Sequence, residues 1–206
     1  MWLTLLGCVL GLASGVRHAI EPDHLAAIST LVAQQRSAKD SVRFAGTWGL
    51  GHGLMLLVVG GMLLVLRAHM PRALEEGFEL AVGVMLVVLG ARALQQALHS
   101  RLPHSHARPH GLRPLAIGVV HGLAGSGALA ALAATRSPTL ASGLLFLGLY
   151  GAGAMIGMAS LAGLAGLPLA RLLRAERSGR ILLTATGALS LLMGLGWGAA
   201  AALRMI

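Results

Sequence analysis

Five ionisable residues fall within eight positions of an otherwise apolar stretch: Arg17, His18, Glu21, Asp23 and His24, beside Pro22. Imidazole with carboxylate, and no thiolate, suits a borderline divalent ion such as Ni(II), Co(II) or Zn(II) rather than Cu(I). On a straight helix His18 and Asp23 would lie about 140° apart at 100° per residue, so one face cannot carry the set. A break at Pro22 changes this, freeing backbone carbonyls and turning both halves of the segment toward one cavity. A hydrogen-bonded knot that only locks the break is the alternative. Against it, ionisable groups cost about 2.5–3.5 kcal/mol each to insert in hydrocarbon and usually mark an ion or substrate path. Arg17 is expected to pair with Glu21 or Asp23, so that Arg17, Glu21 and Pro22 support the metal-binding set.

A pattern ties this segment to two others. Gly15-Val-Arg-His18, Gly49-Leu-Gly-His52 and Gly118-Val-Val-His121 each place a histidine three residues after a glycine. His18 and His121 are 103 positions apart, half the chain. His52 lies eight residues after Phe44 and His121 six after Leu115, roughly 9–12 Å from the cytoplasmic ends of their apolar runs at 1.5 Å per residue. Asp23 and His24, counted back from Ala33, fall at roughly 14–15 Å. His18, Asp23, His24, His52 and His121 can therefore share one layer. Single polar residues also serve to glue helices together, which is the competing reading of His52 and His121.

The elements that must position these groups are membrane spans. The chain has 206 residues, 56% hydrophobic and only 11% charged, with mean hydropathy +0.78. Soluble domains carry roughly 25% charged residues, so an ordinary cytosolic enzyme is excluded. The 29 glycines and 3% aromatics suit closely packed helices in lipid rather than a β-barrel with aromatic girdles. Apolar runs cover Trp2–Val16 and on to about Ala33, then Phe44–Leu66, Phe78–Leu98, Leu115–Ala134, Ala141–Gly166 and Ile181–Leu203. The reading is an all-α polytopic membrane protein with six transmembrane helices, seven if the broken first segment counts as two. Residues 1–206 form a single transmembrane domain, with repeat halves 1–98 and 115–206 joined by a His-rich loop, 99–114. Leu12-Ala13-Ser14-Gly15 resembles a signal-cleavage site, but no basic residue precedes the apolar run.

Basic residues set the orientation. Arg36, Lys39 and Arg43, then Arg101, Arg108 and Arg113, then Arg171, Arg174, Arg177 and Arg180 fall in odd-numbered connections; even ones hold Arg67, Arg72 and Arg136. By the positive-inside rule odd loops are cytoplasmic and the C-terminus lies outside, in a cell inner membrane. The net charge of +9 is then a topology signal, with no nucleic-acid partner implied. The first span runs inward and the fourth outward, as an inverted 3+3 repeat requires, an architecture that places substrate at the repeat interface. Cys8 is the lone cysteine, which excludes disulfides and Cys-rich metal sites within one chain. His99, His104, His106 and His110 make the third loop an auxiliary metal-binding tract, or else a solvated linker. Glu79 reads as an interfacial anchor, and Arg92 lies near enough to a helix end to snorkel.

The block Arg17-His18-Ala19-Ile20-Glu21-Pro22-Asp23-His24 resembles the signature of the nickel/cobalt transporter family and its NicO and urease-accessory relatives, His-x4-Asp-His in an early transmembrane helix. Thr47-Trp48-Gly49-Leu50-Gly51-His52-Gly53 is similar to the Gly-His element of their next helix. The resemblance implies that His18, Asp23 and His24 select the metal, with His52 as a further ligand. Longer family members have eight spans and acidic Asp-Thr motifs, which this chain lacks; it looks closer to the short urease-accessory or NicO branch.

The expected function is a permease for Ni2+, or Co2+, as substrate, with no prosthetic group and no enzymatic activity. The urease-accessory resemblance favours import over efflux, and a cytoplasmic metallochaperone or urease accessory protein would be the partner. From a different class, Ser126 in Ala124-Gly125-Ser126-Gly127 superficially resembles an intramembrane serine-protease nucleophile. Such an enzyme needs a histidine base on a later helix, and none follows His121. A metal sensor or an accessory subunit that transports nothing is a third reading.

Overall fold

The computed structural model describes residues 2–35, 37–98, 112–172 and 176–206, with side chains outside 2–6, 167–172 and 176. Its helices are α1 (Trp2–His18), α2 (Pro22–Val32), α3 (Ala38–Leu66), α4 (Arg72–Leu98), α5 (Arg113–Arg136), α6 (Leu140–Leu172) and α7 (Glu176–Arg204). No strand occurs among the described residues. Each of the last five helices contains a stretch long and apolar enough to cross a membrane. The first two are shorter, about 25 and 16 Å at 1.5 Å per residue, against a hydrocarbon core of roughly 30 Å.

These two make one broken crossing. Gly11 of α1 packs on Phe146 near the start of α6, and Ala19, just after α1, lies against Gly157 further down it. Beyond α2, Ala38 packs on Gly166 at the far end of the same helix. The chain is thus an all-α polytopic membrane protein with six crossings, the first discontinuous.

The break has a local cause. Pro22 lacks an N–H and takes the first position of α2, where no partner is needed. Glu21 precedes it in extended conformation. The freed carbonyls expected from the proline do not materialise at the end of α1. Ile20 N–H donates to the Arg17 carbonyl and Glu21 N–H to that of His18, each at 3.0 Å. A tight terminal turn has consumed both acceptors.

α3 begins earlier than hydropathy suggested. Ser37 caps it, its Oγ accepting from Asp40 N–H at 3.1 Å, so Lys39 and Arg43 lie in its first turns instead of a loop. His52 therefore sits about 21 Å from either end of α3, midway along it. Arg113 likewise opens α5, and Arg177 and Arg180 belong to α7. Arg36, Arg101, Arg108 and Arg174 lie outside the described residues.

α4 packs along α7, α3 lies between α5 and α6, and α1 rides on α6. α2 threads the middle, with contacts to α3, α4, α6 and α7; its Ile28 and Leu31 join Trp48, Leu86 and Met158 in the main apolar cluster. At the end bearing the C-terminus, Arg204 Nε donates to both carboxylate oxygens of Glu76, at 2.7 and 2.9 Å. Another arm of its guanidinium bonds Glu79. Glu79 is thus part of an α4–α7 ion pair, beyond the interfacial anchoring expected of it.

The glycine one turn before each histidine is where its helix crosses a neighbour. A Cβ on Gly15 would lie 2.0 Å from the Tyr150 carbonyl oxygen, and one on Gly118 2.0 Å from that of Trp48. Gly118→Ala is expected to destabilise the protein by about 1–3 kcal/mol through overpacking. Gly148, with nothing within 4 Å, should instead gain up to about 1 kcal/mol on substitution by alanine. Thermal melting of both variants in detergent checks this; shifts of equal sign would contradict it.

Candidate metal site

His18 ends α1, Asp23 and His24 open α2, His52 lies halfway along α3 and His121 in the first half of α5. The structure brings all five together. Because the chain turns between His18 and Asp23, residues that a straight helix would send to different faces converge. Ring centroids are 4.2 Å apart for His24 and His121, 4.5 Å for His18 and His24, and 5.1 Å for His24 and His52. His24 is fully buried, and His52 and His121 nearly so.

The carboxylates decide which nitrogens remain available. Asp23 bridges two rings, its Oδ1 3.1 Å from His24 Nδ1 and its Oδ2 2.8 Å from His121 Nε2. Glu21 lies 2.9 Å from His18 Nδ1. A neutral imidazole that donates one N–H to a carboxylate presents a lone pair at its other nitrogen, the arrangement that orients metal-binding histidines. On His18 that nitrogen, Nε2, is 3.2 Å from His52 Nε2. On His24 it is Nε2, buried with no partner; His52 Nδ1 and His121 Nδ1 are buried without one as well.

Two trios have ligand atoms within 4.8 Å of one another: His18, His24 and His52, and Asp23, His24 and His121. His24 belongs to both. The outermost member is Glu21, whose side chain is 52% exposed and hydrogen-bonded to the nearly buried His18. Chemically, the arrangement offers imidazole nitrogens and carboxylate oxygens from four helices to one borderline divalent cation.

Not every expected contact forms. Arg17 makes no ion pair with Glu21 or Asp23. Glu21 is bonded to His18 and Asp23 to two rings, while Arg17 is exposed on the outer face of α1. Ser126 is buried, and its hydroxyl donates to the Leu123 carbonyl of its own helix at 2.8 Å. The auxiliary histidines His99, His104, His106 and His110 lie outside the described residues.

Two neighbours escaped sequence reasoning. The Trp48 ring lies 5.7 Å from that of His24 and 5.6 Å from that of His121. Trp48 stands four residues before His52, one turn away on the same face, and that spacing was the available signal. Tyr150, the chain's single tyrosine, sets its ring 5.4 Å from His18; a lone phenol in the apolar run of α6 was the corresponding clue.

Fold and site define a helical membrane protein whose bundle centre is a buried imidazole–carboxylate cluster. Over 200 residues the chain is 32% identical to the urease accessory protein UreH of Bacillus sp. (strain TB-90), covering 90% of this chain and 87% of that one. The chain belongs to the UreH family of urease accessory proteins. It is also 30% identical over 180 residues to the chloroplast protein FOR GROWTH AND FERTILITY 1 of Arabidopsis thaliana, across 77% of this chain and 48% of that one. FOR GROWTH AND FERTILITY 2 of the same plant is 30% identical over 168 residues, 73% of this chain and 44% of its own. The chain spans just under half the length of these two chloroplast proteins. No family model and no solved structure matches it.

Proposed function

We propose that this chain is a permease for Ni2+, and by the same chemistry Co2+, in the cell inner membrane, with its C-terminus outside. The observation that carries the reading is the cluster itself. Four histidines and Asp23 meet in the interior of the bundle, and three ring nitrogens there are buried without a hydrogen-bond partner. Unsatisfied polar groups at such depth are costly and rare unless something else completes them. A divalent cation held by His18, Asp23, His24, His52 and His121 does so.

Helix pairing supports alternating access. If α1–α2, α3 and α4 correspond to α5, α6 and α7, the packing of α1 on α6 matches that of α5 on α3. Contact of α2 with α7 then matches that of α5 with α4, while the α3–α6 and α4–α7 pairs map onto themselves. A pseudo-two-fold axis of this kind lets the halves rock about a central site. Kinship with a urease accessory protein favours import, with delivery to a cytoplasmic metallochaperone or urease accessory protein, and the loop histidines as a buffer on that side.

The test is flux. The purified chain in liposomes loaded with a Ni2+-sensitive dye should quench the dye on external Ni2+ or Co2+, and not on Mg2+, which avoids imidazole sites. Binding of Ni2+ without flux would point instead to a sensor or an accessory subunit. Absence of both would remove the metal reading.

A further inference from the structure

From Asp23 and His24, α2 descends between α4, α6 and α7 to the basic end of the bundle. Fully buried Thr30 donates its hydroxyl to the Thr186 carbonyl of α7 at 2.9 Å. A serine in an apolar helix ordinarily returns its hydroxyl to the carbonyl three or four residues back, for Ser190 that of Gly187 or Thr186. Ser190 makes neither bond, and its Oγ is fully buried with no partner. Further toward the basic end, Gln34 Nε2 and Gln96 Oε1 are also buried and unpartnered. Their neighbours Ala33 and Ala97 pack together with Leu183, so the two amides flank the end of the same seam.

The distribution of these atoms is informative. Among the described residues, every buried side-chain nitrogen or oxygen without a partner belongs either to the cluster (His24, Trp48, His52, His121) or to this seam (Ser190, Gln34, Gln96). Along the seam, α7 rises from the basic end, which places Ser190 one turn, about 6 Å, nearer the histidines than Thr186. The order from the cluster is therefore Asp23, Ser190, the Thr30–Thr186 pair, and then Gln34 with Gln96. Hydroxyl and amide groups spaced in this way can replace hydration water around a moving ion, or hold the water that does.

The geometry points to the α2–α4–α7 seam as the half-path between the histidine cluster and the basic face, with Ser190 as an oxygen station for a partly hydrated divalent cation. This rests on reading the cluster as an ion site, so binding and flux are measured separately. Ser190→Ala, which removes an unpaired buried hydroxyl, should raise the melting temperature while lowering initial Ni2+ flux. Ser190→Val, which puts bulkier methyl groups where the hydroxyl stood, should lower flux by about tenfold or more, equivalent to roughly 1.4 kcal/mol of barrier. The Ni2+ dissociation constant in detergent should stay within about twofold for both, since neither touches a ligand.

Wild-type flux in a folded Ser190→Val variant would overturn the proposal, as would loss of Ni2+ binding together with flux. Should that variant not fold, the near-isosteric Ser190→Cys in a Cys8→Ala background provides the check. Its thiol should react with a small cationic methanethiosulfonate from the basic face, more slowly with Ni2+ present, and a thiol that stays unreactive overturns the path. A wild-type chain that neither binds nor carries Ni2+ would instead refute the ion reading beneath it.

Discussion

His24→Ala is expected to abolish Ni2+ transport and to weaken Ni2+ binding by more than about a hundredfold, beyond the roughly 10–100-fold that loss of an outer partner costs. The reason is position. His24 is shared by both ligand trios, is fully buried, and keeps Nε2 unpartnered while Asp23 occupies Nδ1. Removing the ring takes a donor from either trio. Calorimetry on purified protein and dye quenching in liposomes check the two effects. His69→Ala, on the exposed turn between α3 and α4, serves as the control and should change neither. Normal flux in His24→Ala protein that reaches the membrane would refute the site.

Asp23→Asn should lower the melting temperature of the metal-free protein and also remove most of the stabilisation that Ni2+ confers. A carboxylate accepts from two rings at once, His24 at 3.1 Å and His121 at 2.8 Å. The amide has one accepting oxygen and a donating NH2, so one of the two imidazoles must flip or lose its partner. Without metal, a buried imidazole N–H that loses its carboxylate acceptor costs about 1–3 kcal/mol. A ligand at a hundred times its dissociation constant stabilises a fold by about 2.7 kcal/mol, and a site weakened ten- to a hundredfold forfeits about half or more of that. Melting curves with and without Ni2+ separate the effects. An equal Ni2+-induced shift in wild type and Asp23→Asn would show that the carboxylate neither binds nor orients.

Both variants probe a site whose composition was legible in the sequence and whose wiring was not. The length of the apolar runs, the scarcity of charge and Pro22 within an ionisable cluster were enough to expect a helical membrane protein with a broken first span. They also pointed to His18, Asp23, His24, His52 and His121, which the structure places together. The Gly-x-x-His repeat was visible as a pattern, but its cause emerged only when Gly15 and Gly118 proved to lie against neighbouring carbonyl oxygens. The hydropathy edge at Phe44 did not mark the start of α3, because the Ser37 cap and the charged first turns carry the helix past the apolar run. Arg17 was matched to the nearest carboxylates in sequence, whereas histidines from other turns and helices had already claimed them.

The sequence by itself determined the features that depend on a residue and its near neighbours. Span length follows from consecutive apolar residues, the break from an imide that cannot donate, and the ligand chemistry from side-chain type. The tertiary structure decided which atom faces which. Asp23 meets His121 across 98 positions, and Thr30 donates to the Thr186 carbonyl across 156. Such pairings follow from helix packing in three dimensions, where a shift of one turn changes every partner. Local patterns in the chain do not encode that register, and so the free nitrogens of the cluster and the polar seam beneath it came into view only with the fold.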